Sequence, residues 1–315
     1  MCGTLQQPTA FREFSSSNDH GVNSGRDRLA TFGIHFDGPI TVEHKVTIRV
    51  LAKTYEHMQR AIDRAYLIEK HGEVWKHARL KDNQYAETDF IAEYPREGGI
   101  ILDAVRDGAG AIIDRVASSI RPIFESAVRQ GLQDYEALED QLVDRRNYVR
   151  GMRQNTPTYE AVAANPPPDW ASAYSNRSVI KEVDQLVAQI TPERLAGSTV
   201  EINLRGRRAH LSFEFNSQVA KRFHKLAAQR ELGPAMVMKA IIRSLDRGNR
   251  YAKPSGKILN VATGREVSLH LSHRGDFDAL HPYHNGEEVQ VFVCPIVEAL
   301  GFDMKGGDVM FLAVV

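Results

Sequence analysis

Cysteine is almost missing from this chain: 315 residues hold only Cys2 and Cys294, too few for a disulfide framework. Cys294, inside the apolar run VQVFVCPIV, reads as a buried thiol in a reducing compartment. No run approaches eighteen apolar residues, so no membrane-spanning helix is expected. Net charge is missing as well, with 40 Lys and Arg against 40 Asp and Glu. Any attraction for nucleic acid or another polyanion must therefore be local. Also absent are a glycine-rich phosphate loop with its Lys-Ser/Thr, a Gly-x-Ser-x-Gly elbow, a dinucleotide fingerprint and a His-Glu-x-x-His zinc core. These absences make the chain uncertain as an enzyme and lean the reading towards a non-catalytic one.

What is present is an ordinary globular composition, 42% apolar and 25% charged, in a length sufficient for two domains. Residues 1–28 have no apolar core of a signal peptide and read as a disordered tail, so a cytoplasmic location is expected. The expected fold class is α+β. An N-terminal α/β two-layer domain over 29–150 carries a small antiparallel or mixed sheet with packed helices. A proline-containing linker covers 151–175, and a β-rich domain over 176–315 ends in a small antiparallel barrel.

The alternation in LATFGIHFDG and KVTIRVLA predicts two strands, and Thr54 is expected to cap a helix to about Glu69. TDFIAEY and GIILDAV predict two more strands. A helix over about 109–130 contains Pro122, where a kink or break is expected. Another helix is expected from Asp134 to Tyr148. Pro157 and the triple Pro166-Pro167-Pro168 predict an extended, stiffened connection. STVEINL and RAHLSFEF read as a hairpin, with Asn216 capping the helix that follows. Short strands recur to the C-terminus, and closure into a barrel is how such strands avoid open edges.

Charge is uneven along the chain. Residues 201–260 carry 13 Lys and Arg against four acidic residues, a local +9, and residues 261–315 carry three against eight, a local −5. The hairpin turn concentrates Arg205, Arg207 and Arg208, and the next helix adds Lys221, Arg222 and Lys225, with Arg247 and Arg250 further on. Arginine forks reach two phosphate oxygens at once, so this set is the candidate site for an anionic or nucleic-acid partner. The bland reading is a solvated face neutralised by the acidic residues 261–315. Phe213, Phe223, Tyr251 and His210 would offer rings to bases if exposed. Gly108 and Gly110 precede a helix whose N-terminus could receive a phosphate.

A second candidate is the loop HLSHRGDFDALHPYHNGEE. It places His270, His273, His281 and His284 near Asp276 and Asp278, residue types that ligate zinc or another divalent ion. The alternative function is accordingly a metal-dependent hydrolase or nuclease using Asp276, Asp278 and His281. No other cofactor is expected. A third alternative is a structural subunit that pairs with a protein partner or with itself by charge complementarity. The preferred expectation is a scaffold or recognition module with its basic surface in residues 205–257, and no membrane partner.

Overall fold

A computed structural model describes residues 11–13, 29–72, 74–75, 78–95, 100–129, 138–208, 210–299 and 301–315. Cys2, most of the expected N-terminal tail and the start expected for the helix at Asp134 lie outside these residues. The chain divides into two units, one of residues 1–74, 79–133 and 176–227, the other of 75–78, 134–175 and 228–315.

The first unit is built on a six-stranded antiparallel sheet. Its strands are β1 (Phe11–Glu13), β2 (Leu29–Asp37), β3 (Ile91–Ala92), β4 (Ile100–Asp107), β5 (Thr199–Arg205) and β6 (His210–Asn216), in the order β1-β6-β5-β2-β4-β3. The expected hairpin is β5–β6, and β5 pairs with β2 from Thr31↔Arg205 to Asp37↔Thr199. The 176–227 stretch therefore belongs with the first sheet: the chain changes units at Ser175/Asn176, where the expected linker ends, but it returns there to the first unit and does not enter a separate C-terminal domain. Sequence order hid this because the pairing joins strands more than 160 residues apart.

Four helices accompany the sheet among the described residues: α1 (Ile48–His71), α3 (Gly110–Arg129), the part of α6 (Pro168–Val187) from Asn176 onward, and α7 (Ser217–Ala227). The short α2 (Asp82–Thr88) packs against α1. Alternate strand residues, Phe32, Ile34, Phe36, Leu102, Val200, Ile202, Phe213 and Phe215, are buried, as a half-covered antiparallel sheet requires. Phe124 of α3 meets Phe213 and Phe215 edge-on, and Phe223 of α7 meets Phe215 likewise, at centroid distances of 5.0–5.4 Å. Phe213 and Phe223 are thus core rings and not platforms for bases.

Two local expectations change here. KVTIRVLA is not a strand: Thr47 caps α1 by accepting from Val50 N at 3.3 Å, and Ile48 is 85% exposed. The alternation imitated a strand because Val46, Ile48 and Val50 are β-branched, but burial on α1 follows the helical period through Met58, Ala61, Ile62 and Ala65. Thr54 is instead an interior helix residue whose hydroxyl donates to Val50 O at 2.8 Å. Pro122 lies within a helix that continues on both sides of it.

The second unit holds a closed barrel. Strands β8 (Met236–Asp246), β9 (Ser255–Asn260), β10 (Arg265–His270), β12 (Val309–Val314) and β11 (Glu288–Glu298) pair in that circular order, and β7 (Arg230–Leu232) adds to β11. The β10–β12 seam is parallel and the other pairings antiparallel, so the expected barrel closes with mixed direction. Met236, Met238, Ile242, Ile258, Leu269, Val291 and Phe311 fill it. On the outer side of β11 and β12, Phe292, Cys294, Met310 and Leu312 cluster with Leu142 and Val149 of α4 (Leu138–Met152). The expected linker is largely helical: α5 (Tyr159–Ala164) and the start of α6 occupy it, and α6 runs on into the first unit. Pro168 is the first residue of α6, where a missing N–H forfeits no helical hydrogen bond. A final helix, α8 (Arg274–Leu280), lies within the histidine-rich loop.

Candidate functional site

The hairpin tip between β5 and β6 is held by the first turn of α3. A Cβ on Gly206 would overlap the Asp114 carboxylate and stand 2.7 Å from the Gly110 carbonyl oxygen. A Cβ on Gly110 would in turn lie 2.9 Å from the Arg207 nitrogen. Two glycines therefore permit a backbone approach that no other residue type allows. Asp114 completes the clamp by accepting from Arg208 N, at 3.2 Å through Oδ1 and 3.1 Å through Oδ2. The tip's own backbone thus occupies the helix start that Gly108 and Gly110 suggested as a phosphate seat.

With the backbone pinned, Arg205, Arg207 and Arg208 are all exposed. The basic residues of α7 stand elsewhere. Arg222 Nη1 reaches the Ala127 carbonyl at 3.5 Å, while Gly206 sits at Asp114. Asp114 and Ala127 are thirteen positions apart on α3, which corresponds to roughly 20 Å. Lys221 is exposed, Arg222 and Lys225 are half-buried, and His224 of the same helix holds Asp184 at 2.9 Å. The hairpin arginines and the α7 cations consequently form two groups.

Arg247 and Arg250 belong to the second unit. There much of the opposite-charge asymmetry is satisfied internally: Arg230 pairs with Glu298 at 2.8 Å, Lys257 with Glu266 at 2.9 Å and Arg247 with Asp278 at 3.8 Å. Each pair joins the basic stretch to the acidic residues 261–315. Arg247 also stands 5.9 Å from the Phe277 ring and Arg250 5.8 Å from that of exposed Tyr251.

The histidine-rich loop resolves into separate roles. Asp276, 4% exposed, accepts from Ser272 N and Oγ, each at 2.8 Å, and its other oxygen accepts from Arg146 Nη2 at 2.7 Å. His273 opens α8, with Nε2 3.0 Å from Arg146 Nη1 and 3.5 Å from Asp276. His270 lies at the end of β10, 3.8 Å from Asp308. His281 packs on Phe277 at 5.5 Å, His284 ends the short turn after it, and Asp278 is exposed beside Arg247. Among the described residues no three His, Cys, Asp or Glu side chains gather into a set able to hold a metal ion.

One feature was not foreseen from sequence. The sheet face opposite the phenylalanine core carries a cleft of ≈ 610 Å³ lined by Thr31, Asp103, Asn203, Arg205, His210 and Ser212 among others. The register puts Asp103, Gly33, Asn203 and Ser212 in one cross-strand row, with Val105, Thr31, Arg205 and His210 in the next but one along the strands. A Cβ on Gly33 would overlap the Asp103 carboxylate, so glycine there makes space for that side chain. The phenol of Tyr55 is held above its ordinary pKa, first by burial and then by the charge of Asp103. Behind the polar row, Ser212 Oγ donates to Glu201 at 2.6 Å and His35 stands 3.5 Å from the other Glu201 oxygen. The signal in the sequence was the polar half of each alternating strand, which an ordinary solvated sheet face also has.

Among the described residues no helix is long and apolar enough to cross a membrane. No protein-family model matches the chain, and no curated protein matches it. Among solved structures, a mutant of the ferredoxin protease FusC in complex with Arabidopsis ferredoxin aligns at 11% identity and a TM-score of 0.17, over 79% of this chain and 29% of that one. The present chain spans less than a third of that protein, and a likeness of this degree carries no argument about fold or activity.

Proposed function

We propose that this protein is a non-catalytic recognition module that holds an anionic partner, of the nucleic-acid type, through Arg205, Arg207 and Arg208 at the β5–β6 tip. The observation that supports it is the clamp: Gly206 against Gly110, and Arg208 N on Asp114, fix the backbone from which three exposed guanidinium groups project. A solvated turn needs no such anchoring. A fixed backbone lowers the ordering cost when the arginines engage phosphates, and each neutralised phosphate releases counterions, making affinity fall with salt. The site is narrower than the whole 205–257 segment, because Arg247 is paired to Asp278 and the α7 cations stand apart from the tip. The test is retention on single- and double-stranded DNA and RNA across a salt series. Replacing the three arginines by alanine is expected to weaken binding and flatten its salt dependence without lowering the melting temperature.

A further inference from the structure

The cleft on the open sheet face has the composition of a ligand site in its own right. Its volume, ≈ 610 Å³, falls in the range of small-molecule pockets. Its two ends differ in charge: Asp103 and Glu93 line the β3–β4 side, and Arg205 with His210 the hairpin side. Leu29, Ile101 and Val105 add apolar walls, Asn203 supplies an amide between the poles, and Ser212 lies beside His210 on β6. Asp103 and Arg205 sit two strand spacings and two residues apart in the register, which sets their Cα atoms at roughly 12 Å. Asp103 is 8% exposed, and the glycine at position 33 gives its carboxylate the room it occupies.

We infer that this cleft binds a small amphoteric molecule. An anionic head, carboxylate or phosphate, lies on Arg205 and His210, an amine or hydroxyl donor reaches Asp103, and an apolar middle rests on Val105. Arginine and imidazole N–H groups are donors suited to an anion, and an ionised carboxylate only accepts, so it selects a donor at the far end. The inference shares Arg205 with the tip and is otherwise independent of polyanion binding there.

The experiment is saturation-transfer NMR of the full chain with two probes, adenosine 5′-monophosphate and the tripeptide Ala-Leu-Ala, which carry a phosphate or a carboxylate head. At least one is expected to bind with a Kd at or below about 1 mM. Asp103→Asn is expected to weaken that probe about tenfold, which corresponds to the loss of one charge-assisted hydrogen bond. Thr31→Phe, which fills the cleft from a half-buried position, should abolish it, so the test survives if Asp103→Asn perturbs folding. The Arg207→Ala/Arg208→Ala double variant should leave the probe's affinity within about twofold while reducing retention on DNA. A response to the phosphate probe alone assigns a phosphate head, and a response to the tripeptide alone a carboxylate head. Absence of binding by both probes, or binding that Thr31→Phe leaves unchanged, would overturn the inference.

Discussion

Gly206 carries more of the structure than its place at the tip of a hairpin suggests. Because its missing side chain lets the turn rest on Gly110 and Asp114, Gly206→Ala is expected to force the tip off α3 and to destabilise the protein by about 1–3 kcal/mol, the usual cost of overpacking. Chemical denaturation reads this directly, and an unchanged midpoint would mean that the tip is not clamped. Cys294 offers a pH-dependent test. Burial pushes its thiol from 9.0 up to about 12, and burial likewise raises Tyr159 from 10.0 to about 12. Above about pH 9 the unfolded chain loses a proton that the folded chain retains, so stability falls as pH rises through that window. Cys294→Ala should lose the part of the decline that begins near pH 9, measured as denaturation midpoints at about pH 8 and about pH 10. Equal declines in the two proteins would contradict the buried-thiol account.

At the scale of elements, turn chemistry and period-two alternation made most strands legible. Asn216 accepts from Gln218 N and Val219 N at 3.0 and 2.9 Å, as its place before α7 predicts. The misread elements share a cause: local pattern was trusted where tertiary placement decides. Val46, Ile48 and Val50 alternate without being buried as a strand, and the prolines of 166–168 introduce a helix where an extended linker was expected. The terminal strand β12 tests the barrel. It closes the circle by pairing with β10 on one side and β11 on the other. Deleting Val309–Val315 opens both seams and exposes long strand edges. The truncated chain is expected to lose cooperative unfolding of the second unit or to aggregate. A truncated protein with an unaltered melting curve would show that closure does not hold the barrel together.

For the whole molecule, composition gave neutrality and a strong local asymmetry, and folding distributes that asymmetry unevenly. In the second unit Arg230, Arg247 and Lys257 meet carboxylates from residues 261–315, while the hairpin arginines project from a different unit. A linear count cannot separate these fates, because ion pairing depends on which strands become neighbours. The same reason hid the open-face cleft, whose side chains come from β2, β4, β5 and β6. It also dispersed the four histidines, which sequence proximity alone had grouped.

The most direct measurement is the affinity of the full chain for labelled nucleic acid as a function of salt, beside the Arg205→Ala/Arg207→Ala/Arg208→Ala variant. For duplex DNA the account predicts that log affinity falls linearly with log salt, and that the variant's slope is shallower by about 2 to 3, the counterions of as many phosphate contacts. Equal slopes for the two proteins, or no binding at low salt, would contradict the assignment of the hairpin tip as a phosphate-contact site.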